Sequence, residues 1–108
     1  MNGRSAYDRL CAFVRDNMEH FERKHGDVST WSIEQWTEAM AGCFFTMENV
    51  AMYDDVDEAH RMSSDDLFAA FVYAHENYLI DDAEYYMLER NEGIMTLLAR
   101  AIRDEITG

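Results

Sequence analysis

The stretch Trp31-Ser32-Ile33-Glu34-Gln35-Trp36-Thr37-Glu38-Ala39-Met40 decides the fold class. Ser32 is a helix N-cap residue, and Gln35, three positions on, has the reach to close a capping box. Trp31 before the cap and Trp36 beyond it have the spacing of a hydrophobic staple, which gives both tryptophans a structural role. From Ile33 the apolar side chains Trp36, Met40, Cys43, Phe44, Met47 and Ala51 recur at three and four residues, the helical period, and carry the helix to about Met52. Gly42 falls inside that stripe at a cost of about 1 kcal/mol relative to alanine, which points to another helix packed closely there.

Upstream, Ser5 is placed to cap a helix on which Tyr7, Leu10, Cys11, Val14, Met18 and Phe21 form the apolar stripe. Lys24-His25-Gly26 closes it, with cations at the negative end of the helix dipole and a glycine able to turn left-handed. Downstream, Ser63 restarts the chain after an acidic connector. Asp65 and Asp66 suit the first turn of a third helix, and Leu67, Phe68, Phe71, Val72, Tyr78 and Leu79 are expected on its inner face. A fourth start follows at once: Asp81 as cap, Glu84 three residues later, and Ile80 with Tyr85 as a staple. The third and fourth helices are therefore expected to form a tight antiparallel pair. Tyr85, Leu88, Ile94, Met95, Leu98, Ala101 and Ile102 continue the pattern to the end, as one helix or as two divided at Asn91-Glu92-Gly93. No segment alternates apolar and polar residues over a strand length, and there is no internal repeat. The expected architecture is an all-α, compact bundle of four to five helices in a single domain. The absence of proline agrees, because a chain made mostly of helix interior has few places that tolerate it.

The 108 residues include 22 Asp and Glu against nine Lys and Arg, a formal charge of -13, with 48% hydrophobic residues. That apolar content supports a core despite the acidity. So few cations exclude a phosphate-neutralising face, and with it direct binding to nucleic acid or to an anionic membrane. No apolar run approaches the roughly 20 residues that cross a bilayer, and the first residues lack the apolar stretch of a signal peptide. Cys11 and Cys43 each fall on an apolar stripe, so the expectation is a cytoplasmic protein with two reduced, core-packed thiols.

The charge is uneven. Residues 25–99 carry 16 acids against Arg61 and Arg90, whereas residues 1–24 and 100–108 are nearly balanced. An exposed helix ordinarily interleaves cations with its acids and gains a few tenths of a kcal/mol per pair. Here the counter-charge is missing, and the direct use of such a field is capture of a basic protein surface. The residues expected to meet that partner are Asp54, Asp55, Asp57, Glu58, Asp65 and Asp66, with Asp81, Asp82 and Glu84 as a second group. Tyr53, Tyr86 and Met87, off the main stripes, are candidate apolar anchors. In size, charge and helicity the chain resembles the small acidic proteins by which phages and mobile elements block restriction or CRISPR effectors. The resemblance implies a decoy of nucleic acid: carboxylates at helical spacing stand about 5–6 Å apart, a rigid row of anions. The alternative is an assembly or adaptor subunit in a helical oligomer, with acidity serving solubility alone.

Catalytic and metal chemistry find little support. Glu22 and His25, like Asp57 and His60, have the three-residue spacing of di-metal bundles, but the first pair sits beside two cations and the second in a connector. Asp55-Val56-Asp57 opens like a calcium loop, yet the position that needs glycine is His60. Ser5, Ser32 and Ser63 have capping roles, and the glycines form no phosphate loop. No enzyme activity, cofactor or metal is expected.

Overall fold

The chain enters its first helix, α1 (Gly3–Asp16), from Asn2, whose Oδ1 accepts the Ser5 N–H at 2.8 Å. The computed structural model describes residues 2–43, 62–86 and 91–108. The cap is thus Asn2 rather than Ser5. Asparagine caps as well as serine, and the earlier start places Gly3 against the helix Ser64–Glu76. A Cβ on Gly3 would fall 2.6 Å from the Ala69 carbonyl oxygen and 2.8 Å from Tyr73 Cβ, so only glycine permits this approach.

The expected single N-terminal helix is a rod with a kink. Asn17 leaves helical geometry at φ -107° and ψ 15°, and α2 (Met18–His25) follows directly. Both the backbone N–H and Nδ2 of Asn17 donate to the Phe13 carbonyl, at 3.1 and 2.9 Å, and the Asn17 carbonyl accepts from the Phe21 N–H at 3.0 Å. A side chain that enters the ladder in this way bends a helix without ending it. Gly26 ends α2 at φ 87°, and its carbonyl accepts the Trp31 indole N–H at 2.8 Å. Asp27 then caps a short 3-10 turn, Val28–Thr30. Hydrogen bonds from the side chain and backbone of Ser29 hold the Asp27 carboxyl below the usual carboxylate range.

At α3 (Ile33–Ala41) the capping box closes in both directions: Ser32 Oγ accepts the Gln35 N–H at 3.2 Å, and Gln35 Oε1 accepts the Ser32 N–H at 2.8 Å. The Trp31 and Trp36 rings meet edge-on at 4.8 Å, completing the staple. Ser32→Ala should cost about 1 kcal/mol. That loss corresponds to a melting temperature lower by roughly 4 °C in a domain of this size, measured by circular dichroism. A melting temperature equal to that of the parent would show that the box carries no net stability.

The third helix does not run through Gly42 as its stripe implies. It stops at Ala41, and the Cys43 carbonyl accepts the Met62 N–H at 2.6 Å. Phe44, Met47, Ala51 and Met52 lie outside the described residues. α4 (Ser64–Glu76) begins with a second capping box, between Ser63 and Asp66. It ends in a Schellman turn: the Tyr78 N–H donates to the His75 carbonyl at 3.1 Å and the Leu79 N–H to the Ala74 carbonyl at 2.9 Å. The left-handed position, usually glycine, is Tyr78 at φ 62°, a strain of about 1 kcal/mol.

The inner face of α4 differs from the sequence expectation. Ala70, Phe71 and Ala74 are buried, whereas Phe68, Tyr78 and Leu79 are 55%, 95% and 42% exposed. Tyr78 and Leu79 leave the helical period because the chain reverses at Asn77, and small alanines line the face that closes on α1. Of the expected tight pairing with the next helix, the described residues show only ring and side-chain contacts at the end of α4. In α5 (Asp82–Tyr86), Tyr85 stacks on His75 at 3.8 Å and on Phe71 at 4.9 Å, which folds α5 back along the end of α4.

Asn91-Glu92-Gly93 opens the last helix, α6 (Asn91–Thr107), which buries Leu97, Leu98, Ala101 and Ile102. The dominant packings are α1 on α4 and α3 on α6. Between them lies one core, with Leu10, Val14, Phe21, Trp36, Met40, Leu98 and Ile102 fully buried. Counting the kinked α1–α2 rod once, the described residues form five helices and no strand, a compact all-α bundle. Among them no helix is long and apolar enough to cross a membrane.

Candidate partner-binding surface

The acidic residues read from the sequence divide into three sets. Asp54, Asp55, Asp57 and Glu58 lie outside the described residues, as do Tyr53, Met87, the side chain of Tyr86 and the Asp57–His60 pair. Asp65 and Asp66 stand at the N-terminal end of α4. Asp65 is exposed, and Asp66 uses Oδ2 to accept the Ser63 N–H at 3.2 Å. Asp81 and Asp82 stand beyond the other end of α4, and Glu84 belongs to α5, its side chain outside the described set.

The fold therefore separates the two described groups. α4 has 13 residues, and at about 1.5 Å per residue its ends are roughly 20 Å apart. Each group also serves the local fold. Asp81 Oδ1 accepts the Ala83 N–H at 2.8 Å, and Asp82 Oδ1 meets His75 Nε2 at 2.5 Å. The carboxylates remain available to a partner, because Asp65, Asp81 and Asp82 are exposed and Asp82 keeps four-fifths of its side chain in solvent.

Among the described residues, several cations pair with acids outside these groups. Arg4 pairs with Asp8, Arg23 with Glu19, and Lys24 with Glu38, whose other oxygen lies 3.6 Å from His25 Nε2. Among the described residues, no Lys or Arg pairs with Asp65, Asp66, Glu76 or Asp81. At the C-terminal end of α4 the acids are more numerous than the local sequence implies, since Asp104 and Glu105 of α6 line a hollow with Tyr78, Leu79 and Ala101. Sequence reasoning passed over these two because Arg100 and Arg103 balance them along the chain, and Arg103 does pair with Asp104 at 3.1 Å. A wider groove of about 470 Å³ opens between the start of α1, at Asn2 and Arg4, and α4, at Val72 and Glu76. It carries both signs of charge.

Among the described residues, no three His, Cys, Asp or Glu side chains converge as a metal-ligand set. Glu22 accepts the Val28 N–H at 3.3 Å while His25 turns to Glu38, so these two do not act together. Cys11 and Cys43 are buried and form no disulfide. Burial pushes the Cys11 thiol up to about 11 and the Cys43 thiol up to about 12, the opposite of nucleophile activation. Compared with protein-family models, curated proteins and solved structures, the chain matches none.

Proposed function

We propose that the chain is a non-enzymatic acidic protein that binds a basic protein surface, in its most specific form a decoy of nucleic acid that occupies the binding channel of a nucleic-acid-binding effector. The observation that carries this reading is the charge partition: 16 acids against two cations over residues 25–99. Like charges at that density repel one another, and a field directed at a basic partner accounts for the missing counter-charge. Among the described residues, exposed carboxylates stand at both ends of α4, Asp65 at one and Asp81 with Asp82 at the other.

The test is a titration of candidate nucleic-acid-binding effectors at low and high salt, with duplex DNA or RNA as competitor. Binding should weaken at least tenfold between about 50 and 200 mM salt if several ionic contacts form. Nucleic acid should displace the protein. Reversing Asp54, Asp55, Asp57 and Glu58 to lysine should weaken binding without lowering the melting temperature. Salt-independent binding, or recovery of this chain alone as an oligomer, would replace the decoy with an assembly subunit.

A further inference from the structure

The turn that ends α4 presents a surface that the core does not require. Tyr78 is 95% exposed and Leu79 42% exposed, in a fold that buries its other described large apolar side chains except Phe68 to a greater degree. Tyr78 also holds the left-handed position of the Schellman turn, φ 62°, where glycine or asparagine is the unstrained choice. A bulky side chain that contacts almost nothing and strains its own backbone does not stabilise the fold. Strain of this kind gathers where a side chain is positioned for use.

Beside it is a hollow of about 250 Å³ lined by Tyr78, Leu79, Ala101, Asp104 and Glu105. Its chemistry selects an occupant. Two carboxylates repel an anion. A second copy of the chain would bring another net -13 against the same acids, so self-association is opposed by charge. A cation with an apolar stem suits these walls: Leu79 takes the methylenes, the Tyr78 ring takes the charged plane, and the carboxylates take its hydrogen bonds. Arginine fits better than lysine, because a planar guanidinium stacks on an aromatic ring while its N–H fork reaches a carboxylate. Arg103 holds Oδ1 of Asp104, so the incoming group meets the outer carboxylate oxygen and Glu105.

We propose that Tyr78, Leu79, Asp104 and Glu105 form a receptor for an arginine side chain on the surface of a basic partner protein. This rests on the reading that the partner is basic, and it names contact residues other than Asp54, Asp55, Asp57 and Glu58. Tyrosine and arginine are, with tryptophan, the residues enriched at the points that dominate protein interfaces, and here one would meet the other.

The experiment is a nuclear magnetic resonance titration of the intact chain with capped tri-arginine and tri-lysine peptides at low salt. The amides of Tyr78, Leu79, Ala101, Asp104 and Glu105 should shift with tri-arginine, which should bind more tightly than tri-lysine. Tyr78→Gly should bind tri-arginine about threefold more weakly, the loss of one exposed cation–π contact. The same variant should melt roughly 4 °C higher, because the backbone strain is relieved. Opposite signs for binding and stability distinguish a recognition residue from a structural one. Asp104→Asn with Glu105→Gln should also weaken binding. Shifts confined to other acidic residues, with Tyr78→Gly binding as the parent does, would overturn this receptor and leave the basic-partner reading intact. Equal affinity for the two peptides would overturn the assignment to arginine, and no shift with either peptide would overturn both readings.

Discussion

Replacing Trp36 with alanine is expected to remove about 3–5 kcal/mol of folding stability. Trp36 is the largest of the fully buried side chains, 1% exposed, and it occupies the first turn of α3 beyond the capping box. Its ring meets Trp31 edge-on at 4.8 Å, and Trp31 in turn meets Phe21 of α2 at 6.3 Å and His25 at 5.7 Å. The staple is therefore the link by which α2, the 3-10 turn and α3 share one packed cluster. Removing the indole leaves a cavity whose walls are held by helices that cannot close independently. A domain of this size has about 5–15 kcal/mol in total, so the variant would retain a small part of its stability. Urea unfolding followed by Trp31 fluorescence measures this directly. Trp36→Phe, which keeps an aromatic edge against Trp31, should fall between the two. A midpoint for Trp36→Ala close to that of the parent would contradict the central position of the staple.

Trp36 was legible from the sequence because everything that defines its role lies within five residues: the cap, the box partner and both halves of the staple. Features of longer range were not. Ser5 and Asn2 are both good caps one turn apart, and the choice of Asn2 depends on Gly3 meeting Ala69 and Tyr73 of a helix some 60 residues away in sequence. The kink at Asn17 left no trace in the apolar period, because Val14, Met18 and Phe21 keep their spacing across it. Tyr78 and Leu79 followed the period of α4 on paper, and only the reversal at Asn77 takes them to the surface. For the acids, sequence supplies their density but not their direction. Asp66 is adjacent to Asp65 yet turned into a capping box, while Asp104 and Glu105, distant in sequence, join the hollow beside Tyr78. Cap chemistry is local and reads well from the chain; a surface is assembled from several helices and does not.

The second large effect should come from pH. Cys43 is fully buried and Cys11 nearly so. Burial raises the Cys43 thiol to about 12, with Asp66 adding to the rise and Arg9 opposing it. The Cys11 thiol is raised to about 11, again by burial, with Arg15 opposing and Glu105 adding. In the unfolded chain both titrate near their ordinary value of 9. Below that pH both states hold their protons, and burial of the neutral thiols contributes in full. Above it the unfolded thiols ionise while the folded ones do not, so each removes about 1 kcal/mol of stability per pH unit until its own folded value is reached. Between pH 9 and 11 the two together should remove about 4 kcal/mol, a large fraction of the roughly 5–15 kcal/mol that holds an ordinary domain. Tyr7, raised above its ordinary value of 10 by burial, adds in the same direction at the upper end. Urea midpoints measured across this window should fall steeply for the parent. The Cys11→Ala, Cys43→Ala double variant should start lower, because methyl-sized cavities replace the sulfurs, yet its midpoint should hold nearly level from pH 9 to 10, before Tyr7 begins to count. Parallel curves for parent and variant would mean that the thiols are already solvated in the folded chain, and that the packing around Cys11 and Cys43 is looser than the all-α core described above.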